Sequence, residues 1–220
     1  TRLLTHRIAH IDEDLGVPPY NVLAITFTNK AAEEMKNRLL AIVPGAADIW
    51  ISTFHSMCAR ILRRHAEKLG YSKNFTIYAQ DETERTVKQI VKDMGETGDN
   101  FWKTAVRCIS DAKNQGLTPE KYAELNSFIP DIETIERVFS AYEAKLKSNN
   151  AMDFDDLLLK TYDLFERCPD ILAYYGDRFR YIHVDEFQDT NVIQYGLVRM
   201  LASGHGNIFV VGDEDQSIYG

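Results

Sequence analysis

The stretch RYIHVDEFQDTN, Arg180 to Asn191, decides how the rest of this chain is read. An apolar segment runs straight into Asp185 and Glu186, and a third carboxylate, Asp189, follows. It reads as a buried strand, and ending on adjacent acids is unusual for one. The pair by itself also suits the start of a helix, where carboxylates favour the positive end of the macrodipole. What these acids do therefore depends on the company they keep.

Working outward, three more runs share the character of YIHVDEF (181–187): VLAITFT (22–28), DIWISTF (48–54) and NIFVVGD (207–213). Each is near-continuously apolar and rich in Val, Ile or Phe, the pattern of strands covered on both faces in a parallel sheet. FTIYA (75–79) is a weaker fifth candidate. Helices follow two of these strands. After Thr28, NKAAEEMKNRLLAIV sets Ala32, Met35, Leu39 and Ile42 on one face and Glu33, Lys36 and Asn37 on the other. After Thr53, FHSMCARILRRHAEKLG carries Phe54, Met57, Cys58, Ile61, Leu62 and Leu69 as its apolar stripe, and Gly70 ends it as a C-cap. Arg60, Arg63, Arg64 and Lys68 read as a solvated face.

From about Asp81 to Gly176 the pattern is almost wholly helical. A crossover between parallel strands needs only about a dozen residues, so this segment reads as a helical subdomain inserted into an α/β domain. The divisions expected are 1–80, 81–176 and 177–220.

Bulk properties narrow the class. At 220 residues, 45% hydrophobic and 26% charged, the chain is an ordinary globular protein with ample core and no run long enough to span a membrane. TRLLTHRIAHIDEDLG is charged throughout, unlike a signal peptide, and the absence of an initiator Met suggests a processed or cut chain. Cys58, Cys108 and Cys168 stand far apart without a CxxC pair, which argues for a reducing compartment and against zinc or a disulfide framework. The net charge of −8 counts against nucleic-acid binding by the whole surface but not against a local track.

In open α/β sheets the ligand site lies beyond the carboxyl ends of the strands. Polar residues sit at those ends: Thr28-Asn29-Lys30, Thr53 with His55, Asp185-Glu186, and Gly212-Asp213 leading to Gln216. A strand-terminal Asp followed by Glu is the arrangement nucleotide hydrolases use, the first acid holding Mg²⁺ and the second accepting a proton from the attacking water. Asp153, Asp155 and Asp156 of MDFDDLL precede an apolar run and read as helix caps rather than metal ligands.

VDEFQDTN together with VVGDEDQSIYG, AITFTNKAAEEM and ISTFHSMCARIL closely resembles the superfamily 1 DNA helicases of the UvrD/PcrA/Rep type, and the likeness extends over essentially the whole chain. It implies a RecA-like P-loop NTPase fold, a parallel α/β sheet with an inserted all-helical subdomain, and use of ATP with Mg²⁺. By the same resemblance, Asp185 coordinates Mg²⁺, Glu186 is the catalytic base, and Gln216 senses the γ-phosphate and links it to DNA. Phe27, Thr28, Asn29, Lys30, Thr53, His55 and Tyr219 match segments that touch single-stranded DNA. The implied partners are single-stranded and 3′-tailed duplex DNA, with repair or replication proteins, in the bacterial cytoplasm at the nucleoid and with no membrane.

No G-x-x-x-x-G-K-[ST] cradle is present. By the resemblance, Thr1 aligns with the final Ser/Thr of that cradle, a Mg²⁺ contact, with the essential Lys expected upstream. A second motor domain is expected downstream, so the 220 residues alone are expected to be inactive. The alternatives are the motor of a helicase–nuclease recombination subunit, a DNA-binding module that does not hydrolyse ATP, and a nuclease built on Asp185, Glu186 and Asp189. The last lacks the further acids that two-metal chemistry uses.

Overall fold

The computed structural model describes residues 2–96, 98 and 100–213. In chain order the elements are α1 (Arg2–Leu15), β1 (Val22–Thr26), α2 (Asn29–Leu40), β2 (Trp50–Thr53), α3 (Phe54–His65), β3 (Thr76–Ile77), α4 (Gln80–Asp93), α5 (Phe101–Asn114), α6 (Pro119–Leu125), α7 (Ile132–Ser148), β4 (Ala151–Met152), α8 (Phe154–Arg167), α9 (Pro169–Arg178), β5 (Tyr181–Val184), α10 (Val192–Ala202) and β6 (Ile208–Val210). Packing divides the chain into two compact units, one of residues up to Cys58 with those from Tyr162 onward, the other Ala59–Thr161. Those divisions fall elsewhere than 80/81 and 176/177 because α3 and α8 are each continuous helices whose two ends belong to different units. No change of periodicity marks such a boundary.

The first unit is built on a four-stranded parallel sheet of order β2-β1-β5-β6. β1 is buried along its whole length, as a continuous apolar run predicts. Its alternate residues feed two cores. Val22 and Ala24 pack with Leu4 and Ile8 of α1 and Met35 and Leu39 of α2. Leu23 pairs in register with Trp50 and Ile182, and the Trp50 ring meets Phe179 edge-on at 5.1 Å. Phe179 stacks in turn on Tyr175 of α9 at 5.8 Å. Each fully buried Leu or Ile of this kind contributes about 1.5–3 kcal/mol. Gly196 of α10 permits a close approach, since a Cβ there would stand 2.7 Å from Tyr162 Cε2.

Two expectations change. α2 ends at Leu40, so Ile42 leaves the apolar stripe and is 42% exposed, while Val43 turns inward instead. β6 is not covered on both faces: it lies at the end of the strand order, with Ile208 and Val210 exposed. Gly70 does end its segment, in the left-handed conformation at φ 71°, after α3 has tightened into a 3₁₀ turn over Ala66–Leu69. Arg60, Arg63, Arg64 and Lys68 are exposed as expected. Arg63 is also a clamp, its guanidinium 3.8 Å from the Phe75 ring centroid and donating to the carbonyls of Lys73 and Phe75.

The second unit is helical, as its periodicity predicts, but FTIYA does not join the main sheet. Thr76 and Ile77 form β3, which pairs in parallel with a strand not expected from the sequence, β4. Val87, Cys108, Ile109, Tyr122, Phe139 and Tyr142 belong to one apolar cluster. Thr118 caps α6 by accepting from Lys121 N, with Pro119 preset for the first turn.

This unit also buries charge. Lys113 Nζ stands 2.7 Å from Glu143, 2.8 Å from Asp153 and 3.0 Å from Asp156. Burial pulls the Lys113 ammonium down, but the three carboxylates outweigh it and hold its pKa well above the ordinary value. Burial pushes Asp156 up to about 7, against the attraction of Lys113. Asp153 and Asp156 do cap α8, as MDFDDLL suggests: Asp156 N donates to Asp153 Oδ1, and Asp153 N to Asp156 Oδ2. Their pairing with Lys113 was not expected from the sequence.

Candidate functional site

Strand order reverses between β1 and β5: from β1 the chain goes on to β2 on one side, and from β5 to β6 on the other. Such a switch point leaves a crevice beyond the carboxyl ends of the strands. Asp185 and Glu186 stand there. Asp185 continues the strand, its N–H donating to Ile25 O at 3.0 Å, and its side chain is buried. Glu186 breaks the strand with φ 50° and is exposed. A short 3₁₀ turn, Phe187–Asp189, follows. The helix-start reading of these acids does not hold, because α10 begins only at Val192 and is capped by Asn191, whose Oδ1 accepts from Gln194 N.

Thr26 Oγ1 donates to Thr28 O, bending the chain out of β1. Thr28 then caps α2, its Oγ1 accepting from Ala31 N at 3.1 Å, so that Thr28, Asn29 and Lys30 are exposed at a helix N-terminus. Phe27 is half-buried, its ring edge-to-face with Phe54 at 6.0 Å. Thr53 is buried and its hydroxyl is engaged, accepting from Ser56 N and donating to Ser56 Oγ. His55 follows in the first turn of α3 and is half-buried. The structure thus gathers Phe27, Thr28, Thr53, Asp185 and Glu186 at the carboxyl ends of adjacent strands β2, β1 and β5. Thr1, Gln216 and Tyr219 lie outside the described residues.

Among the described residues no group of three or more His, Cys, Asp and Glu side chains could hold a metal ion. One buried carboxylate with a second beside it fits Mg²⁺, which keeps several waters and takes the rest of its ligands from phosphates. Asp189 Oδ1 is a further buried acceptor without a hydrogen-bond partner among the described residues.

Sequence reasoning missed Gln188. Its Nε2 donates to Glu186 Oε2 at 2.7 Å and its Oε1 accepts from Asp213 N at 3.0 Å, joining the turn after β5 to the segment after β6. The available signal was its place two residues after Glu186 and the glycine at 212.

Comparison with known proteins gives the family. The description UvrD/REP helicase N-terminal domain matches residues 1–220. The chain is 49% identical over 225 residues to an ATP-dependent DNA helicase PcrA of Leuconostoc citreum, covering all of this chain and 30% of that protein. It is 49% identical over 222 residues to the protein of the same name in Staphylococcus aureus strain Mu50, and 48% over 223 to that of Staphylococcus epidermidis, again with 30% of each covered. By that match over its whole length, the chain belongs to the UvrD/REP helicase N-terminal domain family.

Proposed function

We propose that this chain is the first motor domain of an ATP-dependent 3′-to-5′ DNA helicase and translocase that moves along single-stranded DNA in repair or replication. In this reading the sheet unit is the motor domain, its two parts separated in sequence by an inserted helical subdomain. The observation that carries the reading is the pair Asp185 and Glu186 at the strand-order switch point, one acid buried and the other open to solvent.

Mg²⁺, when bound with ATP, neutralises charge on the transferred phosphoryl group. Asp185, fixed by its backbone bond to Ile25, would hold it, with Thr1 as the second protein ligand that the resemblance implies. Glu186 reaches solvent, orients the attacking water and takes its proton. Gln216 reads the γ-phosphate and passes its state to Tyr219. Phe27 stacks on a base, while Thr28, Asn29 and Lys30 hold phosphates with the free N–H groups at the start of α2. His55 adds a contact from α3, and Thr53 acts by fixing the start of that helix, since its hydroxyl is engaged there. The substrates are single-stranded and 3′-tailed duplex DNA, and the setting is the bacterial nucleoid. Among the described residues no helix is long and apolar enough to cross a membrane.

The chain spans 30% of the length of the curated relatives it matches, and its sequence holds no phosphate cradle. The 220 residues by themselves are therefore expected to turn over ATP negligibly. The test is ATP hydrolysis by the full-length protein with and without single-stranded DNA. DNA-stimulated turnover that drops by about 100- to 10,000-fold in Glu186→Gln supports the reading. Absence of turnover with DNA present refutes the motor, and turnover that survives Glu186→Gln removes the assignment of the base.

A further inference from the structure

The side-chain amide of Gln188 makes two bonds of opposite kind at once. It donates to the Glu186 carboxylate at 2.7 Å and accepts from the backbone N–H of Asp213 at 3.0 Å. The chemistry fixes its orientation, because a flipped amide would set oxygen against carboxylate and N–H against N–H. A carboxylate at 188 could not donate, and an apolar side chain could do neither.

Independent observations point to the same bridge. Past the ends of β5 and β6 the ladder continues: Val211 N donates to Val184 O and Phe187 N to Val211 O, both at 2.9 Å. The two segments then close tightly on position 212, so that a side chain there would displace the Gln188 amide. A Cβ on Gly212 would stand 2.7 Å from Gln188 Oε1 and 3.2 Å from Gln188 N. Glu186, in turn, sits in the left-handed region at φ 50°, a conformation that persists only where surrounding contacts hold it.

We propose that Gln188 is a positioning residue that ties the direction of the Glu186 carboxylate to the backbone at Gly212–Asp213, so that the acid after β5 and the segment after β6 move as one. This rests on the reading of Glu186 as the base. Any displacement of the Gly212–Asp213 backbone then turns the base, and the reverse. The hydrolytic step and the backbone after β6 are coupled through one amide.

The experiment uses the full-length protein with Gln188→Leu, Gln188→Glu and Glu186→Gln. Without nucleotide, amide hydrogen exchange in Gln188→Leu should quicken at Asp213 while β5 and the helical unit keep their protection. With ATP and saturating single-stranded DNA, both Gln188 variants should lose about 10- to 100-fold in kcat, the scale of a slightly misplaced catalytic group, with KM for ATP changed less than about threefold. Unchanged exchange at Asp213, or kcat within about twofold of wild type, overturns the proposal, as does loss of protection spread evenly through the fold. A wild-type protein without turnover would instead refute the functional reading, and exchange at Asp213 would then decide the bridge alone. Gly212→Ala provides a second route: it should reproduce the kcat loss with the Gln188 side chain intact.

Discussion

Replacing Lys113 by Met tests whether the buried charge cluster holds the helical unit together. The side chain of Lys113 is fully buried, and those of Asp156, Asp153 and Glu143 are 1%, 7% and 28% exposed. Methionine keeps most of the aliphatic stem but strands the acids. Lys160 remains near them, 3.5 Å from Glu143 and 3.7 Å from Asp156, and compensates only in part. Removing one partner of a buried ion pair costs about 3–5 kcal/mol, a large share of the roughly 5–15 kcal/mol that stabilises a domain. The chain carries two tryptophans, Trp50 in the sheet unit and Trp102 in the helical one. In a Trp50→Phe background, fluorescence during urea unfolding therefore reports on the helical unit alone. The Trp102 transition should move down by about 2 M urea. The deficit should also depend on pH with a definite sign. Without the ammonium, Asp156, whose pKa burial already raises, loses the attraction that holds it down, so folding takes up a proton and the variant recovers as pH falls. Between about pH 8 and pH 6 the gap to wild type should narrow by on the order of 1–2 kcal/mol. A deficit below about 1 kcal/mol, or one that does not change with pH, would refute the argument.

His183 is buried in β5, and burial lowers its pKa to about 4. The unfolded chain thus binds the extra proton first, and the sheet unit should lose up to about 3 kcal/mol as pH falls from 6.5 toward 4, a loss absent in a folded His183→Gln variant and measured by Trp50 fluorescence in a Trp102→Phe chain. Thr28→Ala removes the cap on α2 and should cost about 1 kcal/mol in urea unfolding. Gly196→Ala forces a methyl to within 2.7 Å of the Tyr162 ring and should cost about 1–3 kcal/mol, whereas Gly204→Ala, which meets nothing within 4 Å, should cost well under that.

β1, β2 and β5 were legible because buried strands write their burial as continuous apolar runs, and the carboxyl-end polar residues followed from that; β6 carries the same apolar run although its Ile208 and Val210 are exposed. β3 and β4 were not legible: two residues each carry no period, and their pairing joins Thr76 to Ala151. Nothing in SDAKNQG sets Lys113 apart from an ordinary lysine of a helix surface. Its burial depends on Glu143, Asp153 and Asp156, carboxylates brought to it from α7 and the start of α8, a coincidence of tertiary structure that composition cannot display. Gln188 is a similar case, since its second partner, Asp213, is distant in sequence. Ile42 misled for a local reason: the apolar period outlasted the helix.

Why the strand ends on adjacent acids has a geometric answer. Two carboxylates on consecutive residues of a continuing strand would point to opposite faces of the sheet, and one would be lost to the core. Here Asp185 keeps the backbone bond to Ile25, and its side chain is buried at the carboxyl end of β5. The left-handed turn at Glu186 then takes the second carboxylate out of that pattern and into solvent, where Gln188 orients it. One acid is fixed and dehydrated, the other oriented and accessible to water. A helix N-terminus would have given both acids the same exposed setting and the same task. The left-handed backbone separates them, and the amide at 188 limits the freedom that this separation would otherwise allow.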